Sequence, residues 1–401
     1  MKKFLKVLKY LGFGLLSLIS VLVLYGSIAY SPTYVYRVLV WQDSDAFDWQ
    51  KFPNHPLSAA PTAYHFDSEP NPRVEDLLKQ LSGAEDWGSF METNGTQAFI
   101  VIQDGTILYE NYYNDTQRDS IVTSFSVAKS FGSALIGKAI EEGYIKSVDD
   151  PITVYLPELA ERDPQFNEIT IRHLLLMASG LEYTEMRPLL FNGDNPLTTY
   201  FTDQRKLALE NTHIIDSPGL YFQYNKYHPQ LLGLILERAT GMTVTNYLQT
   251  SIWDPLGMEF DGSWSTDSKS SDFEKMETGV NARAIDFAKF GALYLNGGLW
   301  EGQQVIPKAW VDESTQPLLP EDYSDYYNDY VKAMPGQGYY KYMWWGMARE
   351  AGSYDFTAEG DKGQFIYVSP ENHMVIVRNG VKYGIPSEEW LRLFYEFASQ
   401  H

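Results

Sequence analysis

The sequence contains no cysteine. This absence excludes disulfide bonds, metal sites built from thiolates, a cysteine nucleophile and a lipid-modified N-terminal cysteine. It leaves an extracytoplasmic location open, because a chain of 401 residues with 44% hydrophobic residues can bury a core that is stable without disulfide bonds. The length and composition predict one large domain or two interlocked subdomains.

Two common motifs of hydrolytic enzymes are also missing. The chain has neither a Gly-x-Ser-x-Gly turn, typical of α/β-hydrolases, nor a His-Glu-x-x-His pair, which binds zinc. The 7 histidines are scattered, and His173, which stands among leucines, is interpreted as a packing residue. We therefore expect no metal and no other cofactor.

Basic residues are scarce relative to acidic ones. The chain has 31 Lys and Arg against 52 Asp and Glu, which gives a formal net charge of −21 at pH 7. A body with this charge repels phosphate backbones and anionic lipid head groups. Nucleic acid is therefore excluded as a partner, and any contact with a membrane must be hydrophobic.

The N-terminus carries the sequence pattern of such a contact. The stretch from Leu11 to Tyr30 has no charged residue and would span about 30 Å as a helix, enough to cross a bilayer. Lysines precede it and none directly follows, which predicts a cytoplasmic N-terminus and an extracytoplasmic body. The alternative is a cleaved signal peptide, with Ser27 and Ala29 as the small residues before the cut.

These observations divide the chain into four parts: a basic N-terminus (1–10), a membrane anchor (11–30), a stalk or linker rich in proline (31–72) and one large domain (73–401). Within that domain the patterns predict strands near both ends and helices in the middle. We expect an α+β fold in which both ends of the domain build one antiparallel sheet flanked by helices, with an all-α subdomain inserted. Asn192–Asp203 is interpreted as a loop, and a helix is predicted over Leu231–Ala239.

The segment from Ser124 to Phe131 is the candidate centre of the chemistry. Ser126 and Lys129 lie three residues apart at the start of a predicted helix, so their side chains share one face. A hydroxyl beside an amine is a nucleophile beside a possible base. Such pairs also arise by chance, so the interpretation depends on whether later segments of the chain complete a site.

Two later segments supply residues that could complete such a site. Tyr224 precedes a predicted helix, and its phenol could relay a proton beside the amine of Lys129. Gly360 and Asp361 come directly after a predicted strand. A tetrahedral intermediate needs two N–H donors, and we expect these to be the amide of Ser126 and a strand amide at Gly360 or Asp361.

In these segments the sequence resembles the superfamily of serine β-lactamases and penicillin-binding proteins, in particular its class C-like branch, which includes DD-peptidases, esterases and 6-aminohexanoate-dimer hydrolases. The resemblance covers roughly residues 98–380. It rests on an ordered set of segments: Ser124–Ser130, Ile169–Gly180, Tyr224 before Leu231–Gly233, Ala284–Gly291 and Gly360-x-x-Gly363-Gln364. It implies the β-lactamase/transpeptidase-like fold, Ser126 as the acylated nucleophile, Lys129 as its partner and Tyr224 as the proton relay.

The sequence departs from the family pattern at two places. The Asn position of the Tyr-x-Asn motif holds Lys226, with Asn225 one place earlier, and both are candidates for substrate binding. The Lys-Thr-Gly motif of β-lactamases reads Ala358-Glu359-Gly360. A β-lactam presents a carboxylate that the missing cation normally binds, so the pattern favours another ester or amide. We expect Lys226 to restore part of the positive potential.

The sequence thus predicts a membrane-anchored extracytoplasmic serine hydrolase that acts on a small ester, amide or peptide-like substrate. Two alternatives stay open: a catalytically inactive relative that serves as a binding or regulatory module of the cell envelope, and a DD-carboxypeptidase or β-lactamase. The aromatic segments Tyr323–Tyr330 and Tyr339–Trp345 either line a cleft or pack in the core. The sequence leaves the oligomeric state undetermined.

Overall fold

The computed structural model describes residues 2–183 and 196–401. Its α-helices begin with an apolar helix long enough to cross a membrane. The helices are α1 (Lys2–Ala29), α2 (Pro32–Val40), α3 (Pro72–Ser82), α4 (Trp87–Thr93), α5 (Ala128–Glu141), α6 (Pro157–Arg162), α7 (Ile171–Leu175), α8 (Pro196–Phe201), α9 (Gln204–Glu210), α10 (Tyr227–Thr240), α11 (Val244–Leu248), α12 (Ala284–Leu295), α13 (Lys308–Thr315), α14 (Tyr323–Tyr326), α15 (Asp329–Ala333) and α16 (Ser387–Gln400).

The strands lie mostly on either side of this helical middle. They are β1 (Asn54–Leu57), β2 (Asp67–Ser68), β3 (Thr96–Gln103), β4 (Thr106–Tyr112), β5 (Val122–Thr123), β6 (Gly262–Ser265), β7 (Val280–Ala282), β8 (Leu299–Trp300), β9 (Gln303–Gln304), β10 (Gln337–Lys341), β11 (Trp344–Ala348), β12 (Tyr354–Gly360), β13 (Gln364–Ser369) and β14 (Met374–Gly380).

The main sheet has eight strands in the order β10-β11-β12-β13-β14-β3-β4-β2. Its pairs are antiparallel except for β2 with β4, which is parallel. Strands from both ends of the domain meet where β14 pairs with β3. The predicted α+β fold, with a sheet built from both ends and helices inserted between, is confirmed.

Helices cover both faces of this sheet at its centre. Helix α12 packs on β13, β14 and β3, while Phe394 of α16 contacts the rings of Phe99 and Phe365 on the other face. Every residue of β13 and β14 is consequently buried. Strands buried on both faces need continuous rather than alternating hydrophobic runs, which explains the sequence Met374-Val375-Ile376-Val377.

The helical subdomain packs around α5, which is buried along almost its whole length. Helix α10 lies directly against it. Gly137 of α5 lets the indole of Trp310 approach closely, since an added Cβ would lie 2.3 Å from that ring. This buried helix fixes the position of its own N-terminus, which carries Ser126 and Lys129.

Two helical predictions differ from the structure. Residues 196–201 form α8 and not a loop, because Tyr200 and Phe201 pack their rings against Phe52 and that burial outweighs a weak local pattern. The rest of the predicted loop up to residue 195 lies outside the described residues. Helix α10 begins at Tyr227 and not Leu231, since Pro229 is tolerated in a first helical turn.

The segment predicted as a stalk, residues 31–72, contributes to the sheets and to the core. Strand β1 pairs with β6 in a second sheet of order β1-β6-β7-β5. Phe52, Leu57 and Phe66 are buried. The segment thus packs onto the domain at several points.

We predict that a chain starting at Arg73 is less stable than one starting at Ser31. The deletion removes β1, β2 and the buried side chains of Leu57 and Phe66. The loss of these two side chains alone lowers the free energy of unfolding by at least about 3 kcal/mol. Chemical denaturation of the two purified fragments measures the difference. Equal midpoints with equal slopes would show that residues 31–72 are a dispensable linker.

Candidate active site

Ser126 lies where the second sheet meets helix α5. The amide of Ser124 donates a hydrogen bond to the carbonyl of Val280, at 2.8 Å. The next residue, Phe125, has a φ of +43° and a buried side chain. A positive φ is costly for a bulky residue and occurs where the surrounding structure enforces it. This turn starts the 3-10 segment Phe125–Val127, which leads into α5.

Lys129 is buried beside that serine. Its Nζ donates hydrogen bonds to Ser126 Oγ at 2.7 Å and to the backbone carbonyl of Glu277 at 2.8 Å. Only 2% of Lys129 is exposed, while Ser126 is half-buried. The amine is therefore held against the hydroxyl from the interior, and the hydroxyl faces the open side.

Burial lowers the pKa of Lys129 to about 7. Removing an ammonium group from water penalises its charged form. The carboxylate of Glu277 raises this pKa, whereas the charge of Lys226 lowers it further. Near neutral pH a large fraction of the amine is uncharged and can accept a proton from the Ser126 hydroxyl.

Tyr224 lies on the other side of the amine. Its ring centroid is 4.9 Å from Lys129 Nζ, and its ring stacks on Trp345 with a centroid distance of 5.4 Å and an interplanar angle of 28°. The hydroxyl, amine and phenol-bearing side chain predicted from the sequence are thus brought together in one place. The stacking on Trp345 fixes the plane of the tyrosine ring.

The end of strand β12 forms the opposite wall. A Cβ added to Gly360 would lie 2.3 Å from the carbonyl oxygen of Ser124 and 3.0 Å from the amide nitrogen of Ser126. Only a glycine permits this approach of two backbones. A pocket of about 190 Å³ opens here, lined by Ser126, Tyr224, Trp345, Glu359, Gly360, Asp361 and Tyr383.

A buried carboxylate stands in this pocket wall. Glu359 accepts hydrogen bonds from the hydroxyls of Tyr330, Tyr383 and Ser387. Burial raises the pKa of this carboxyl above its ordinary value, while the three hydroxyl donors oppose the shift. The position that carries the Lys-Thr-Gly motif in β-lactamases therefore holds an acidic, hydrogen-bonded side chain here.

The two remaining candidates, Asn225 and Lys226, differ in their surroundings. Asn225 is fully buried. Its amide donates to the carbonyl of Leu181, and its side-chain oxygen accepts from the amide of Tyr227, so it holds the loop and does not line the pocket. Lys226 is the residue before α10, and its Nζ is 5.8 Å from the ring centroid of Tyr200.

Sequence reasoning missed two participants. The carbonyl of Glu277 accepts from Lys129, and a backbone acceptor leaves no signature in the residue type. Tyr383 lies just after β14 and reaches both Glu359 and the carbonyl of Gly360, with no motif around it. Both interpretations of the aromatic segment Tyr339–Trp345 apply to part of it. Trp345 lines the pocket, whereas Tyr339 and Tyr340 are buried.

This fold defines the class of the protein, a β-lactamase-fold hydrolase. The sequence model of the Beta-lactamase family matches residues 89–379. The chain therefore belongs to the beta-lactamase family.

Individual relatives agree with this assignment. The 6-aminohexanoate-dimer hydrolase of Paenarthrobacter ureafaciens is 26% identical over 325 residues, which are 78% of each chain. Esterase EstB of Burkholderia gladioli is 27% identical over 176 residues, 40% of this chain and 44% of the esterase.

Solved structures show the same fold. A Bacillus anthracis protein provisionally assigned as a 6-aminohexanoate-dimer hydrolase superposes with a TM-score of 0.72 at 24% identity, over 89% of this chain and 94% of that one. A class C beta-lactamase superposes with a TM-score of 0.59 at 14% identity, over 82% and 96%. At these identities the likeness concerns the fold alone.

Two substitutions should shift the pH dependence of turnover in opposite directions. Lys226 lowers the pKa of Lys129 and Glu277 raises it. Activity that needs the neutral amine rises with pH through that pKa. Lys226→Met should therefore move the acidic limb to higher pH and Glu277→Gln to lower pH, each by up to about one unit.

The measurement is kcat/KM from pH 5 to 9 for a chromogenic ester, with melting curves to check folding. If the acidic limbs of the two variants' pH profiles stayed in place, or moved in the same direction, the limb could not be assigned to Lys129.

A methyl group at Gly360 should reduce activity without unfolding the protein. The added Cβ of Gly360→Ala would force the end of β12 away from Ser124 and Ser126, and a displacement of about 1 Å at reacting groups costs about 100-fold in rate. The matched control is Gly88→Ala in α4, where the nearest atom is 3.5 Å away. If both variants kept full kcat/KM, the close approach would have no catalytic meaning.

Proposed function

We propose that the protein is a membrane-anchored, extracytoplasmic serine hydrolase that cleaves an ester or amide bond through an acyl-enzyme on Ser126. The observation that carries the proposal is the hydrogen bond from the buried Lys129 amine to Ser126 Oγ, at 2.7 Å, together with the pKa of about 7 for that amine. A serine hydroxyl becomes a nucleophile when such a base is in contact with it.

The geometry supports a simple acylation step. Ser126 Oγ attacks the substrate carbonyl carbon while its proton passes to neutral Lys129, which forms the Oγ–C bond and places negative charge on the carbonyl oxygen. The amides of Ser126 and of Gly360 or Asp361 stabilise that oxygen. As the tetrahedral intermediate collapses, the bond to the leaving group breaks and the leaving group takes a proton relayed by Tyr224.

Deacylation repeats these steps with water. As water attacks the acyl carbon, Tyr224 relays one proton from that water to neutral Lys129; when the bond from the acyl carbon to Ser126 Oγ breaks, the amine returns this proton to Oγ. The charge of Lys226, half-buried beside this loop, favours the neutral form of Lys129. Ser126, Lys129 and Tyr224 are thus the proposed catalytic residues.

The pocket wall favours substrates without a carboxylate next to the scissile bond. Ala358 stands where a cation binds the carboxylate of β-lactams, and Glu359 adds an acidic group to the pocket. A small ester or amide fits these charges better than penicillin or a D-Ala-D-Ala peptide. The 6-aminohexanoate-dimer hydrolase and the esterase to which the chain is similar support the same class of reaction.

The location rests on helix α1. The candidate membrane span within it, Lys3–Ala29, is 27 residues long and exposes all of its large apolar side chains. We propose that it is retained as the anchor, with residues 1–10 in the cytoplasm, 11–30 in the membrane, 31–72 as the connecting segment and 73–401 as the hydrolase. Cleavage as a signal peptide is the alternative, and the mass of the mature protein distinguishes the two.

An active-site probe tests the chemistry. A fluorophosphonate should label the full-length protein in detergent and not the Ser126→Ala variant. The wild-type protein should hydrolyse short-chain p-nitrophenyl esters at least about 100-fold faster than it hydrolyses nitrocefin, which corresponds to about 2.7 kcal/mol of transition-state discrimination.

Two results would contradict the proposal. Equal labelling of the wild type and of the Ser126→Ala variant would place the nucleophile elsewhere. A folded wild-type protein that neither takes the probe nor hydrolyses any ester or amide would instead identify an inactive relative with a binding role.

A further inference from the structure

Helix α2 is apolar on the side that faces away from the protein. Tyr36, Leu39 and Val40 lie on one helical face and are 55–59% exposed. The one charged residue of the helix, Arg37, is 5% exposed. A helix that faces water has the opposite arrangement, with its apolar side chains inside and its charges outside.

The inward face of α2 is anchored to the catalytic domain. Arg37 donates a hydrogen bond to the carbonyl of Phe201 at 2.9 Å. Its guanidinium also lies over the rings of Trp41 and Phe52, with distances of 5.2 and 4.6 Å to the ring centroids. Tyr34 and Val35 are buried in a small aromatic cluster with the rings of Phe52 and Phe201. The orientation of α2 on the domain is therefore fixed.

The same helix packs against α1. An apolar groove between the two is lined by Ile19, Leu22 and Val23 of α1 and by Tyr34, Val35, Val38 and Leu39 of α2. At 1.5 Å per residue, Ile19 and Val23 lie roughly 9 to 15 Å before the end of α1 at Ala29. If α1 spans a bilayer, this part of α2 lies alongside the outer part of the hydrophobic layer.

We propose that the outer face of α2 lies in the lipid bilayer, at the boundary between head groups and acyl chains, and forms a second membrane contact of the protein. An interfacial helix buries its apolar face about 5–10 Å into this boundary, and the outer end of the α1–α2 contact, at Val23, lies within that depth. Tyr36 suits this zone, because tyrosine is enriched at membrane–water interfaces. This inference rests on the membrane anchor of the proposed function and is independent of the chemistry at Ser126.

The contact would set the orientation of the active site. The ring of Tyr200, which neighbours Phe201 under α2, lies 3.8 Å from Lys275 Nζ and 5.8 Å from Lys226 Nζ. Tyr200 belongs to the buried cluster beneath α2, so a member of that cluster lies next to Lys226, two residues after Tyr224. A bilayer on the outer face of α2 would hold this side of the catalytic domain close to the membrane surface.

The absence of cysteine makes a direct test possible, because each introduced cysteine is the only thiol. Full-length variants Tyr36→Cys, Leu39→Cys and Val40→Cys are labelled with an environment-sensitive fluorophore and reconstituted into phosphatidylcholine vesicles. Val154→Cys is the control, since Val154 is 63% exposed on the body of the domain. Leu16→Cys, within α1, reports the anchor. Quenching by a lipid-borne nitroxide is compared with quenching by aqueous iodide, and melting curves verify folding.

Lipid quenching several-fold stronger at positions 36, 39 and 40 than at position 154, with the reverse order for iodide, supports the proposal. Iodide quenching equal to that at 154 overturns it, and lipid quenching at position 16 in the same preparation would show that the anchor nevertheless holds. Protection from both quenchers also overturns it and indicates a second copy of the chain on this face. Ester hydrolysis is recorded separately, so a failure of the catalytic proposal leaves this result interpretable.

Discussion

The site depends on one buried amine that has no carboxylate in hydrogen-bonding contact among the residues that the structure describes. Lys129 Nζ donates to a hydroxyl and to a backbone carbonyl, and neither acceptor repays the cost of removing an ammonium ion from water. The group therefore gives up its proton near neutral pH. A carboxylate in direct contact would favour the charged form of the lysine, but the group of Glu277 that contacts the amine is its backbone carbonyl. The side chain of that residue binds Gln204 and Lys275 instead.

The geometry around this amine is assembled from three parts that are distant in the sequence. Helix α5 and the turn before it supply Lys129 and Ser126, the loop before α10 supplies Tyr224, and strand β12 supplies Gly360. The end of strand β12 comes into close backbone contact with the turn before α5 where Gly360 meets Ser124 and Ser126. This contact places the hydroxyl of Ser126 and the end of strand β12 in the same pocket, an arrangement that neither part could form alone.

Short sequence patterns predict several features of this fold and candidate site. The spacing of Ser126 and Lys129, the turn after Gly360 and the long apolar runs of β13 and β14 can be read from short stretches of neighbouring residues. The features that escaped prediction depend on tertiary contacts. The short strands β1 and β2 form because partners exist elsewhere, α8 forms under the rings of Phe52 and its neighbours, and the packing of Asn225 against Leu181 removes it from the pocket. The carbonyl of Glu277 could not be found by any pattern of side chains.

Electrostatics and apolar burial act in opposite directions on the placement of the domain. The net charge of −21 repels an anionic membrane, but physiological salt screens this repulsion beyond about 8 Å. Full burial of an exposed large apolar side chain contributes about 1.5–3 kcal/mol, and the half-exposed side chains on the outer face of α2 each gain part of this on entering lipid. Burying Arg37 against Phe201 removes the one charge that would oppose their entry. A net negative charge on the protein is therefore compatible with a domain held close to lipid.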